Sequence, residues 1–108
     1  TMGETIETAK EKNLDFMISK FPFAANGRAI TMNATKGFVR MLSDKKTGVV
    51  IGAQIAGPGA SDLISEFSLA IENGLTTEDI SMTVHPHPTL GEAIMDTSEL
   101  ADGMPIHI

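Results

Sequence analysis

The chain contains no cysteine, so it has no disulfide framework and no thiolate chemistry of its own. That suits a reducing compartment, and a cytoplasmic location is expected. Positive charge is scarce: eight Lys and Arg stand against fourteen Asp and Glu, for a formal net charge of −6. A surface that neutralises phosphates by releasing counterions needs the opposite sign, so nucleic acid is not expected as a partner. Long apolar runs are missing too. The longest are only a few residues, against the ~20 needed to cross a bilayer as a helix, and no signal-peptide pattern opens the chain, so no membrane association is expected. There is no internal repeat, low-complexity tract or linker. The 108 residues suit one domain of ordinary size, large enough to bury a core without metal or disulfide staples. The chain starts at Thr1 and enters a structured pattern almost at once, which points to a fragment of a longer protein.

What is present reads as strands first and helices afterwards. Thr5 suits the N-cap of a short exposed helix that stops near Asn13. Leu14 to Phe23 alternates loosely, and Pro22, which has no N–H for a ladder, puts that strand at an edge or a bulge. Asn26-Gly27 marks a turn. Gly37 to Ser43 and Gly48 to Gly57 are two β-type runs joined by a polar link, residues 44–47, short enough for a hairpin. From Ala60 to Asn73, Leu63, Ile64, Phe67, Ala70 and Ile71 recur at helical spacing, and Gly74 is placed to end that helix. Thr76 with Asp79 caps a short helix to about Met82. Thr89 to Ala101 reads as the last helix. This order predicts an α+β fold, a mostly antiparallel sheet with helices packed on one side.

Three motifs carry candidate chemistry. Gly57-Pro58-Gly59-Ala60-Ser61-Asp62 follows a strand and opens a helix, the setting in which glycine-rich turns hold phosphates. Asp62, however, stands where a dinucleotide fingerprint needs its third glycine, and a carboxylate repels a pyrophosphate. A tight strand-to-helix turn is the simpler reading. In Val84-His85-Pro86-His87-Pro88, each proline forces the preceding histidine into extended or turn backbone. Both histidines could serve one metal ion, but alternate residues of an extended chain point to opposite sides, so no metal is expected. Thr89-Leu90-Gly91-Glu92 has the form of a capping box, in which Glu92 reaches back to the Thr89 N–H. A carboxylate so placed could instead orient the ring of His87. The two roles are compatible only if the carboxylate favours one partner. His107 has no partner legible in the sequence and is read as surface.

The stretch His85-Pro86-His87-Pro88-Thr89-Leu90-Gly91-Glu92-Ala93 resembles a signature near the C-terminus of the dihydrolipoamide dehydrogenases. Phe21 to Ala29 and Ile51 to Ala60 resemble, in the same order, that family's strand and turn and its central strand leading into a helix. The likeness covers essentially the whole chain. Two departures stand out: Gly91 replaces a usual serine, and Met2 to Glu7 replaces a more regular opening stretch, so the first strand is expected to be cut or altered.

The resemblance implies that residues 1–108 are a single dimerisation domain from a longer FAD- and NAD-dependent enzyme that oxidises dihydrolipoamide as a homodimer. FAD and NAD would sit in preceding domains, none in this piece, and lipoyl domains of a 2-oxoacid dehydrogenase complex would be partners. His87 would be the base and Glu92 its orienting carboxylate, offered together to the partner subunit's active site. A glutathione reductase-like relative stays open. A free-standing dimerisation or binding module of the same fold without a catalytic role is the alternative.

Overall fold

The computed structural model describes residues 1–28, 36–57, 59–87 and 89–101. His107 and both Pro58 and Pro88 therefore lie outside the described residues. In chain order the elements are strand β1 (Met2–Gly3), helix α1 (Ile6–Glu11), strand β2 (Phe16–Pro22), a 3-10 turn (Phe23–Ala25), strands β3 (Phe38–Asp44) and β4 (Val50–Ala56), and helices α2 (Ala60–Glu72), α3 (Thr77–Ser81) and α4 (Glu92–Ala101). The strands form one antiparallel sheet in the order β1-β4-β3-β2. The expected α+β architecture is what the chain adopts.

The local chemistry explains most of the boundaries. At α1, the Thr5 hydroxyl accepts from the Thr8 N–H while the Thr8 hydroxyl accepts from the Thr5 N–H, and Asn13, at φ +55°, ends the helix in the left-handed conformation that asparagine tolerates. At α3 the expected capping box is complete, with Thr76 and Asp79 each holding the other's N–H. Pro22 ends β2, which is an edge strand, where its missing N–H disrupts no interior ladder. In the hairpin, Asp44 Oδ1 accepts the N–H groups of Lys46 and Thr47, both at 2.9 Å. Those two hydrogen bonds lower the Asp44 carboxyl below its ordinary range.

Strand alternation sorts the side chains onto two faces. The rows Ser19, Met41, Ala53 and Phe21, Val39, Ile55 share one face by register, and α2 packs there on β4 while α4 packs on β2 and β3. Phe23, Phe67, Ile94, Val39 and Met41 are fully buried between the layers, each large apolar side chain contributing roughly 1.5–3 kcal/mol by leaving water. Gly57 belongs to this packing. A Cβ there would meet the Phe23 ring at 2.8 Å and the Lys36 carbonyl at 2.9 Å, so its missing side chain makes room for Phe23. Ala9 of α1 and Leu42 are also fully buried but stand apart from that core. Leu42 alternates with Met41 and so faces away from α2 and α4.

Two local expectations need correction. Gly27 and Arg28 are helical, so Asn26-Gly27 is a junction between a 3-10 turn and a helical start. The last helix begins at Glu92, after a turn at Leu90 and Gly91. The first strand, expected to be cut or altered, is the two residues Met2 and Gly3, paired with Ala53 and Gly52.

Candidate functional site

Residues 82–91 join α3 to α4, and the two histidines of this link behave as opposites. Residues 82–84, 86 and 87 are exposed, and His85 alone among them turns inward. The His85 side chain is 6% exposed and that of His87 is 78% exposed. The extended backbone that proline imposes on the residue before it accounts for the division. No shared metal site results: among the described residues no group of three metal-ligating side chains exists. Each histidine has its own carboxylate.

His87 Nδ1 lies 2.9 and 3.0 Å from the two carboxylate oxygens of Glu92. Those oxygens only accept, so Nδ1 donates, and in the neutral ring the basic lone pair is then on Nε2. The same Glu92 Oε1 also accepts the Thr89 N–H at 3.0 Å. One carboxylate thus serves cap and histidine together, and the expectation that it must favour one partner is wrong. An oxygen has two lone pairs, and Glu92, on the first residue of α4, brings one to each donor. The capping box is only half formed. The Thr89 hydroxyl donates to the Pro86 carbonyl at 2.6 Å and tightens the loop that carries His87.

Burial pushes the Glu92 carboxyl up, but the Thr89 N–H, the His87 hydrogen bond and the electrostatic pull of the His87 and His85 rings when protonated outweigh it and hold the carboxyl below its ordinary range. The positive end of α4 acts in the same direction. Glu92 is therefore a carboxylate at neutral pH, as a partner for an imidazolium must be.

Three residues that sequence reasoning left without a role hold the loop. His85 Nε2 lies 2.7 Å from Glu66 Oε2 of α2, and His85 Nδ1 lies 2.8 Å from the Thr83 carbonyl. The Asn26 side chain, in a residue only 3% exposed, donates to the Thr89 carbonyl at 3.0 Å across 63 positions of sequence. No spacing rule connects Asn26 or Glu66 to this site; only the fold does.

The described chain is thus an α+β domain that carries an exposed imidazole oriented by a carboxylate at a helix start. The chain belongs to the family described as the pyridine nucleotide-disulphide oxidoreductase dimerisation domain, whose model matches residues 1–98. It is 59% identical over all 108 residues to a dihydrolipoyl dehydrogenase of Bacillus subtilis and 54% identical over 108 residues to that of Geobacillus stearothermophilus. It spans 23% of the length of each. Among solved structures it resembles LpdA of Mycobacterium tuberculosis, with a TM-score of 0.86 at 26% identity over 92% of this chain and 22% of that one. The HOCl-induced flavoprotein disulfide reductase RclA of Escherichia coli superposes with a TM-score of 0.86 at 28% identity, over 91% of this chain and 22% of that one.

Proposed function

We propose that residues 1–108 are one interface domain of a longer dihydrolipoyl dehydrogenase, and that His87 and Glu92 form the acid/base dyad it lends to the partner subunit of a homodimer. The observation that carries this reading is the exposed His87 ring held through Nδ1 by a buried-side carboxylate 2.9 Å away. Support for the wider assignment comes from relatives more than 50% identical that bear that name and are about four times longer. The work is placed in the cytoplasm, with lipoyl domains of a 2-oxoacid dehydrogenase complex delivering the dithiol.

The chemistry follows from the tautomer. With Nδ1–H committed to Glu92, Nε2 is free to take a proton from a dithiol, and the resulting thiolate is the nucleophile of disulfide exchange. It attacks a redox-active disulfide, which this cysteine-free chain does not supply and which is assigned to a preceding flavin domain. One S–S bond breaks as a mixed disulfide forms, and the second substrate thiol then closes the oxidised product. Glu92 stabilises the imidazolium while it holds the proton. Residues 57–62 do not fit a dinucleotide: Gly57 accommodates Phe23, and Asp62 puts negative charge in the first turn of α2. FAD and NAD, bound in other domains, supply the route by which the two electrons leave.

In that enzyme, His87→Gln is expected to lower dithiol oxidation by about 10²–10⁴, the usual contribution of a positioned general base. Hydride exchange between NADH and flavin needs no such base and changes little. An unchanged dithiol rate would overturn the assignment.

A further inference from the structure

His85 does nothing in the chemistry just described, yet it is the better-held histidine. Both ring nitrogens face oxygens, the Thr83 carbonyl at 2.8 Å and the Glu66 carboxylate at 2.7 Å. A carbonyl accepts only, so Nδ1 carries hydrogen. A hydrogen must also lie between Nε2 and Glu66 Oε2, since two lone pairs do not approach to that distance. The ring is thus hydrogen-bonded at both nitrogens, to the Thr83 carbonyl and to Glu66.

This pair ties the loop to α2, whereas Thr83, whose hydroxyl donates to the Asp79 carbonyl at 2.7 Å, ties it back to α3. Met82 is 75% and Val84 92% exposed, so neither anchors the backbone by packing. The His85 ring also reaches the start of α4: a Cβ built on Gly91 would lie 4.0 Å from His85 Cδ2. Glu66, His85 and Pro86 line one groove beside α2.

We propose that His85 is a positioning residue for the His87–Glu92 pair and that Glu66 of α2 is its anchor. Two clamps then hold the segment, His85 to α2 before His87 and Asn26 to the Thr89 carbonyl after it. Between them the Pro86 carbonyl, which accepts from Thr89, fixes the intervening backbone. His87 is displayed at a set position over the first turn of α4 while remaining exposed. The carboxylates on the elements packed beside His85 are Glu66 of α2, which its ring contacts, and Glu92 of α4. The catalytic relevance rests on the function proposed above; the positioning itself does not.

The test therefore has two independent parts. In the 108-residue chain, amide exchange of Thr89, whose N–H is held by Glu92, and the ring ¹⁵N signals of His87 report the pair without any activity. Glu66→Ala and His85→Gln are expected to speed Thr89 exchange about tenfold or more and to change the His87 ring signals. Glu66→Gln, which still accepts from Nε2–H, restores most of the protection. Amides of β3 and β4 serve as the control for global stability. In the full-length enzyme, Glu66→Ala is expected to lower kcat for dithiol oxidation about 10- to 100-fold, as misplaced groups do, with NADH-to-flavin transfer retained. Thr89 and His87 signals unmoved by all three variants would overturn the proposal whatever His87 does. Altered signals together with a harmless His87→Gln would leave positioning intact and remove the catalytic reading instead.

Discussion

Glu92→Gln separates the two duties of one side chain. Glutamine keeps a carbonyl oxygen that can accept the Thr89 N–H, now 3.0 Å from Glu92 Oε1, so the cap survives. What disappears is negative charge about 3 Å from His87 Nδ1. An ion pair with centres about 4 Å apart gains about 1 kcal/mol in water and about 4 kcal/mol at the effective dielectric near a protein surface. His87 is 78% exposed and Glu92 only 18%, so the value lies between, about 1–3 kcal/mol. If that energy is felt where the imidazolium forms, the dithiol rate falls about 5- to 150-fold. Trading a charged acceptor for a neutral one costs about 1 kcal/mol in the fold, too little to unfold the domain. Steady-state dithiol oxidation across pH, with a thermal melt of the same variant, makes the measurement. A glutamine enzyme with the wild-type rate and profile would refute the dyad and leave Glu92 as a cap alone.

Acid should destabilise the fold through three carboxyls held below their ordinary range: Glu4 by Lys12 and Thr8, Asp44 by the Thr47 and Lys46 N–H groups, and Glu92 by Thr89 and His87 against its burial. A depressed folded-state value means that the unfolded chain binds protons first, so this stability is present above about pH 4.5 and is lost as pH falls further; denaturant titrations showing no loss below pH 4.5 would contradict it. Gly91→Ala should stabilise by about 0.4–1 kcal/mol by restricting the unfolded chain, since the new Cβ meets only Thr89 Oγ1 at 3.6 Å and His85 Cδ2 at 4.0 Å; a lower Tm would show that the glycine is needed for its backbone. The isolated chain should self-associate through the apolar surface around Leu69 and Val84, which are 63% and 92% exposed and line one groove. Sedimentation should show a dimer that Leu69→Glu weakens, and a monomer over a wide concentration range would count against that face.

Much of the fold was legible because its signals are local and repeated. Phe67, Ala70 and Ile71 mark the inward face of α2 by spacing alone, and Thr76 with Asp79 writes the start of α3 in its own side chains. Pro22 could be assigned to an edge because its missing N–H is a property of the residue. What was not legible falls where a short piece takes its conformation from what it touches. Met2 and Gly3 are a strand only because β4 offers Ala53 and Gly52, and two residues carry no period to read. At Asn26-Gly27 the dipeptide suggests a turn, yet Asn26 is buried and spends its amide on the Thr89 carbonyl, a partner remote in sequence.

The site divides the same way. His87 and Glu92 are five residues apart and joined by a loop and one helical start, so spacing put the carboxylate within reach of the ring, while their reading as a dyad came from the family resemblance. The rivalry expected between cap and dyad came from treating a carboxylate as if it had one acceptor position. With several lone-pair directions on its two oxygens, Glu92 satisfies the Thr89 N–H and the His87 ring at 2.9–3.0 Å at once. The arrangement couples the two functions: the backbone bond that starts α4 also fixes where the carboxylate stands, and so where the imidazole points. A helix start is among the stiffer places a small domain has for such a group, whereas the loop before it is exposed and needs outside support. That support comes from Glu66 and Asn26, residues remote from His87 in sequence that α2 and the end of the 3-10 turn bring to the loop.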